Sequence, residues 1–446
     1  MVTLDRGMGL LPATATNIIG MVGVGPFLTI PFMVSAMNGP HILYAWAFGA
    51  VLALCDGLVY AELAAALPGS GGPYIYLREA YRPFGLGRLF AFVFIFQLIL
   101  VAPLSIAGGA VGFADYLGFY WTSIGGVQHN VIAAAVCIVV TALLYRDITS
   151  IGRLAVVMLV VVMATVGWVI VAGVFSFSWG QAFDFPPEAR RLDANLLRAM
   201  GAAGLLAMYN YGGYSNICNI GDEIRTPERT MPRAIVLSIV IVVGLYVVMS
   251  TVILGIIPWQ DVRQTRTIAS LFIGRTFSDP VHGRIAAIVM TALILFVTAS
   301  SVYAVILGYS RIPFAAARDG QFFSVFGRLH RTKHFPHVSL LTIGAVTIPF
   351  CFFTLGQLVG WLILVQILLQ FIWQCAAVIL LRRYRRDIVK PFRMWLYPLP
   401  AIVSLAMWIY IFLSAPRAGM LFSAAFLAAA VVAYALFERS TRSPSE

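Results

Sequence analysis

Charge is what this chain has least of. Asp, Glu, Lys and Arg make up 11% of its 446 residues, against about a quarter in soluble domains. The hydrophobic share is 61% and the mean hydropathy +0.90. A soluble fold of this length cannot hide so much apolar surface, because surface shrinks too slowly with size. Long polar stretches are also missing, so no connector has room for a soluble domain. Cysteine is scarce: Cys55, Cys137, Cys218, Cys351 and Cys375 lie in apolar stretches without a CxxC pair. They read as packing residues, which excludes a disulfide framework or a thiolate metal site. No HExxH, GxSxG or P-loop occurs, so an enzyme is not expected and no cofactor is implied. The start, Met1 to Leu11, lacks a cleavage-site pattern; the expectation is no signal peptide, with the first span directing insertion.

What the chain has in abundance is apolar runs of roughly 20 residues, long enough to cross a hydrocarbon core. The reading is an all-α integral membrane protein with spans over 11–37, 41–67, 86–117, 130–145, 151–175, 196–222, 233–257, 284–316, 338–354, 358–381, 395–414 and 418–437. Two longer connectors, 176–195 and 259–283, interrupt the series, the second with room for a short surface helix. Basic residues outnumber acidic ones, 30 to 18. They sit in short connectors, which speaks for orientation and anionic lipid and against nucleic acid. The dense clusters, Arg382, Arg383, Arg385, Arg386, Lys390, Arg393 and Arg328, Arg331, Lys333, fall on one side. That side is expected to be cytoplasmic, with both termini there and the plasma membrane as location. The exceptions, among them Arg190, Arg191, Arg263 and Arg266, lie mostly in the long connectors, where the rule is weaker.

Two spans carry breaks. The first holds Gly20, Gly23, Gly25 and Pro26, then Pro31. Proline removes a donor and clashes with the preceding turn. Unwound backbone at that depth persists only where it is buried or lines a cavity. The sixth holds Tyr209-Asn210-Tyr211-Gly212-Gly213-Tyr214-Ser215-Asn216. Glycines can serve close helix packing alone, but packing does not explain breaks in two corresponding spans. The correspondence fits inverted five-span repeats around a midplane site. A half-helix starting after Gly25 offers N–H groups and a positive dipole end to a carboxylate. Carbonyls ending the preceding half suit an ammonium group. Together they suit a zwitterion.

These residues extend to a resemblance. Tyr60-Ala-Glu62-Leu-Ala-Ala-Ala-Leu-Pro68-Gly-Ser70-Gly71-Gly72-Pro73-Tyr74 through Ala80 resembles the span 2–3 signature of the amino acid–polyamine–organocation permeases. Gly23-Val24-Gly25-Pro26-Phe27 is similar to that family's G-S-G-I-F break, with Val24 and Pro26 replacing Ser and Ile. Asp222-Glu223 through Pro232-Arg233-Ala234-Ile235 resembles its motif after span six. The resemblance implies a LeuT-type five-plus-five helix core with two peripheral spans, about 12 in all. It implies repeats over 1–175 and 196–381, peripheral spans over 395–437 and a cytoplasmic tail over 438–446. It also implies substrate held by Gly23, Val24 and Gly25 on one wall and Tyr209, Asn210, Tyr211, Gly212 and Gly213 on the other. An aromatic gate is implied, with Tyr209, Tyr211 and Tyr214 all eligible.

Charges inside spans default to functional readings. Asp56 and Glu62 stand in span two; Glu62 also fits a structural pair with Arg78 or another inner basic residue. Asp222 and Glu223, beside Arg225, Arg229 and Arg233, read as a solvated gate network. Asp115 is expected to face the outer water. Span five holds no lysine, which weakens a lysine-based proton mechanism. Thr298, Ser300 and Ser301 in span eight offer hydroxyls of the kind that bind sodium in relatives of this fold, and equally serve as helix–helix glue. Coupling to H+, to Na+ or to neither stays open. The expected function is a secondary transporter of amino acids. A polyamine or organic-cation carrier is the alternative, and a non-transporting amino-acid sensor or a channel the remaining ones.

Overall fold

The structure is a computed structural model that describes residues 4–23, 25–121, 123–186, 193–265 and 267–442. Val24, Arg190, Arg191 and Arg266 lie outside the described residues. Helices α1 (Leu10–Met21) and α2 (Gly25–Met37) are the two parts of the first expected span. Then come α3 (Ile42–Ala66), α4 (Pro73–Tyr81), α5 (Gly87–Leu117), α6 (Gly126–Leu143), α7 (Ile148–Val174) and the single turn α8 (Trp179–Ala182). Helix α9 (Ala194–Tyr211) runs into a 3-10 helix, Gly212–Asn219. The remainder is α10 (Pro227–Leu254), α11 (Trp259–Val262), α12 (Ile268–Arg275), α13 (Pro280–Arg318), α14 (His337–Thr347), α15 (Leu355–Gln366), α16 (Ile372–Tyr384), α17 (Leu399–Ser414) and α18 (Arg417–Arg442). Among the described residues there is no strand, only isolated bridges from Met8 to Ile224 and from Ser70 to Ile220.

Nine of the described helices are long and apolar enough to cross a membrane. Three further segments expected as spans fall short for physical reasons. The helix from His337 to Phe352 and α17 are short, and α9 gives way to a 3-10 stretch rich in Gly, Asn and Ser.

Side chains set the helix starts. Asp147 accepts from the Ser150 N–H at 2.9 Å, Asp193 from Leu196 at 2.8 Å and Asp279 from Val281 at 3.0 Å, each satisfying an orphan donor of a first turn. The Gly71-Gly72 pair of the span 2–3 motif turns the chain between α3 and α4 at φ 98° and 46°, angles that favour glycine.

Helix α1 is buried almost all round, against α7, α10, α13 and the 3-10 segment. Helices α3, α5 and α13 complete the centre. Helices α6 and α18 lie at the rim and expose Val127, Val131, Leu421 and Leu436, as lipid-facing surfaces do. The connector helix α12, expected at the surface, is instead packed on α13, α7 and α2 with Ile268, Ala269, Phe272 and Ile273 buried. Its apolar residues face the bundle, while Arg275 at its end is exposed and pairs with Asp261.

One end of the bundle concentrates arginine pairs. The Glu62 carboxylate accepts from Arg382 at 2.5 and 2.6 Å and from the Met394 N–H at 2.8 Å. Arg78 pairs with Glu79 and Asp319, so the partner of Glu62 is Arg382 and not Arg78. Glu79 also accepts from Arg385 at 2.9 Å. Burial raises the Glu79 carboxyl, and the Arg385 hydrogen bond with the Arg78 charge overcomes this, leaving it below its ordinary value.

Candidate functional site

The two breaks meet. Helix α1 stops at Met21, and the chain turns through Val22 and Gly23 before α2 starts at Gly25. Pro26 sits in the first turn of α2, where its missing N–H costs nothing. The other break differs from expectation. Gly212 and Gly213 do not unwind the sixth span; the helix tightens there into the 3-10 stretch. A Cβ on Gly213 would lie 2.5 Å from the Gly20 carbonyl carbon and the Met21 nitrogen. Backbone therefore passes against backbone, and no side chain fits between.

Side chains tie the breaks together. The Tyr246 hydroxyl of α10 donates to the Met21 carbonyl at 2.7 Å and lies 3.5 Å from the Asn210 carbonyl. The Ser301 hydroxyl donates to the Gly20 carbonyl at 3.4 Å. Asn17 accepts from the Ile217 N–H at 3.1 Å and donates to Ser238 at 3.4 Å. Carbonyls freed at the end of α1 are thus only partly satisfied by fixed hydroxyls.

Between the breaks lies a cavity of about 80 Å³, walled by Gly20, Met21, Gly23, Gly25, Ser105, Gly109, Tyr209, Asn210, Gly212, Gly213, Asn216, Ser301, Tyr309 and Gln366, with Val302, Val305, Leu362 and Ile363. A second cavity of about 50 Å³ shares Gly212, Asn216, Tyr309, Ile363 and Gln366 with it and continues to Pro73, Tyr214, Asn219 and Gln370. Among the described residues no Asp, Glu, Lys, Arg or His lines either one. Asn210 donates its amide to Thr29 at 2.7 Å and to the Leu206 carbonyl at 2.8 Å, which turns its Oδ1 toward Gly25. That Oδ1, the Asn216 Nδ2 and the Asn219 Oδ1 are buried and have no protein partner among the described residues. Buried polar atoms are rarely left so. A polar solute or water belongs there.

Of the residues expected at the site, Gly23, Gly25, Tyr209, Asn210, Gly212, Gly213 and Ser301 converge on the larger cavity. Val24 lies outside the described residues. The Gly23 N–H donates to the Met21 carbonyl at 3.1 Å, so the first turn of α2 is the donor face that remains. Tyr211 points away, edge-on to Trp46 and packed by Tyr246. Tyr214 donates to Asp56 and reaches only the smaller cavity. Tyr209 is the one tyrosine of the three on the larger wall, its hydroxyl 3.0 Å from the Cβ position of Gly108. Ser300 turns its hydroxyl back to the Phe296 carbonyl, 2.8 Å away, and leaves Ser301 alone at the break.

Asp56 lines neither of these two cavities. It accepts from Tyr214, from Ser404 at 3.0 Å and from Trp408 at 3.1 Å, with Cys375 at 3.7 Å. These donors join α3 to the 3-10 segment, α16 and α17. Glu223 is not part of a solvated network: it is buried with Arg311 of α13, joined at 3.1 and 3.2 Å. Asp222 accepts from the Ser70 N–H at 3.0 Å. Asp115 is partly exposed and meets His129 at 3.0 Å.

Sequence reasoning missed Asn216, Tyr246, Tyr309, Gln366 and Arg311. A signal existed for two of them. Tyr246 interrupts an aliphatic span and its hydroxyl needs a partner there. Arg311 is a charge inside a span, which the intramembrane rule flags.

Comparison with known proteins now bears on this geometry. Residues 8–437 match the amino acid permease family. The chain belongs to that family. The permease is 30% identical to an uncharacterized transporter of Mycobacterium tuberculosis over 346 residues, covering 77% of this chain and 73% of the relative. It is 23% identical to a methylthioribose transporter of Bacillus subtilis, covering 98% and 94%. It is 26% identical to the human cystine/glutamate transporter, covering 90% and 78%. The resemblance read from the span 2–3 segment is thereby borne out across nearly the whole chain. A multi-pass integral membrane protein follows from the family and the apolar helices.

Proposed function

We propose that this permease is a secondary transporter that carries a net-neutral amino acid by alternating access, bound between the breaks at Gly25 and Asn210 to Asn216. The observation that carries this reading is an uncharged cavity with unpaired amide atoms, set between a helix start and the carbonyls of a helix end. The start of α2 suits a carboxylate and the Gly20 and Met21 carbonyls suit an ammonium group. Opposite charges on one ligand then need no ionised side chain. A cavity of about 80 Å³ holds several waters or one small solute.

The same reading makes α1/α2 and α9 with its 3-10 extension the first helices of two five-span repeats, 1–175 and 196–381, in a LeuT-type fold of about twelve spans. Segments 395–437 are then peripheral and 438–446 a cytoplasmic tail, in a plasma-membrane protein with the arginine-rich end inside. Contacts on two sides of the cavity support alternating access. On one side Tyr209 and Leu355 both approach Gly108, and Leu355 also lines a separate cavity of about 570 Å³ with Leu28 and Val111. On the other, the Met8–Ile224 bridge ties the chain after the 3-10 segment to the segment before α1, and the Glu223–Arg311 pair ties it to α13.

A polyamine would need separated acids in the wall, and an anion such as glutamate would need a cation. Among the described residues neither type lines the cavity. A neutral solute of the methylthioribose kind fits the absence of charge but leaves the helix-end charges unused. For coupling, Ser301 with the Gly20 carbonyl offers oxygen ligands to sodium, while Asp56 is occupied by protein donors.

The test is counterflow in liposomes holding the purified permease, with labelled neutral, basic and acidic amino acids, putrescine and methylthioribose. Accumulation of a neutral amino acid, abolished by Gly25→Leu, supports the reading. Accumulation of putrescine alone, or binding with no accumulation of any solute, overturns it.

A further inference from the structure

A further cavity lies at the end of α13. The connection from there to the start of α14 folds back on itself through a 3-10 turn, Ser324–Gly327. It borders an open cavity of about 780 Å³ lined in part by Arg318, Arg328, Arg331, His330 and His337. Among the described residues no carboxylate lines it. Arg318, Arg328 and Arg331 are exposed and make no ion pair among the described residues. The His330 Nδ1 accepts from the Thr332 and Lys333 N–H groups at 3.4 and 3.3 Å, which leaves the ring proton on Nε2 as a further donor. Orientation in a membrane needs only a count of positive residues in the connectors. It does not need three arginines to line one concave surface, a cluster of the kind phosphate recognition uses. The same connection exposes Phe323 and Val325. Apolar side chains beside arginines, where two apolar helices end, suit the bilayer interface, with ring and alkyl groups in the acyl boundary and the cations at headgroup level.

We infer that this cavity binds the phosphate of one anionic phospholipid headgroup, with Arg318, Arg328 and Arg331 as its ligands and Phe323 and Val325 against the acyl chains. A soluble phosphate compound shares the chemistry but makes no use of the exposed apolar pair.

The experiment uses the full chain in neutral detergent, with bound lipid counted by native mass spectrometry. Phosphatidylglycerol, phosphatidylcholine and inorganic phosphate are titrated separately. The expected result is one retained phosphatidylglycerol, no retained phosphatidylcholine, and an affinity that falls roughly 100-fold in the Arg318→Gln/Arg328→Gln/Arg331→Gln variant. A control variant, Arg383→Gln/Arg386→Gln/Arg393→Gln, removes the same charge from another exposed part of the same end and is expected to bind as the parent does. The single Arg328→Gln variant serves if the triple variant does not fold, with a loss of about fivefold. Equal losses in both triple variants would reduce the effect to bulk charge and overturn the site. Inorganic phosphate displacing the lipid at equal concentration would overturn the lipid assignment, as would retention of phosphatidylcholine to the same degree.

Discussion

A single methyl group distinguishes the two adjacent glycines of the sixth span. At Gly213 a Cβ would collide with the backbone of Gly20 and Met21, whereas at Gly212 it would meet nothing within 4 Å. Gly213→Ala is therefore expected to lower the melting temperature in detergent, with overpacking of about 1–3 kcal/mol or more, and to abolish counterflow. Gly212→Ala is expected to melt within a degree or so of the parent, since surface-like additions cost little. Comparable melting of the two variants would refute the backbone contact. Tyr246→Phe tests the tie between the breaks. It removes one of the two donors to the Met21 carbonyl, the Gly23 N–H being the other, at a cost of about 0.5–1.5 kcal/mol, read as a lower melting point with the expression level kept. The sequence marked the Gly-Gly pair as special without telling its members apart. That distinction rests on which neighbour approaches which face, and no local pattern encodes it. Asn216 stood in the same stretch but was not singled out for the same reason, being one polar residue among several.

At the scale of elements, the segments joined at the arginine-rich end behave as latched parts. The buried Glu223–Arg311 pair fixes the chain after the 3-10 segment to α13. Arg311→Met is expected to destabilise by about 3–5 kcal/mol, because it strands a buried carboxylate. Adding Glu223→Gln should recover most of that loss, and a double-mutant cycle on melting temperatures reads the coupling; additive losses would show the pair to be independent. Helix α4 carries a pH-dependent share. Its Glu79 carboxyl is held below the ordinary value through Arg385 and Arg78, against burial. A depressed acid contributes stability above its unfolded pKa, about 4.3, and loses it as pH falls through the lower folded value. The melting temperature of the parent should therefore drop on acidification below that range more than that of Glu79→Gln. Parallel pH profiles would exclude the role. Element existence was legible in apolar run length, and the first break in its glycines and Pro26. The character of the second break was not, because a helix that tightens into 3-10 geometry keeps the same apolar spacing as one that unwinds. The buried α12 was misread as a surface helix, since a polar connector of that length usually lies in water and only its packing on α13 says otherwise.

For the molecule as a whole, lack of charge is the property that runs from composition to site. Few ionised residues occur, most of those inside are paired or hydrogen-bonded, and among the described residues none lines the central cavity. Composition alone made the membrane legible, and the span 2–3 motif made the family legible. The first break already suggested a zwitterion; that Asp56 is turned to Tyr214, Ser404 and Trp408 was not legible, because it depends on packing between helices far apart in the sequence. A neutral wall between a positive helix start and negative helix-ending carbonyls should accept a ligand that carries both charges and reject one that carries either alone. The most direct measurement is counterflow with three forms of whichever amino acid the permease exchanges: the zwitterion, its methyl ester and its N-acetyl derivative. The account predicts accumulation of the zwitterion, with uptake of the other two lower by at least about 100-fold, since each leaves one helix end unpaired. Accumulation of the ester or the N-acetyl form at the rate of the zwitterion would contradict it.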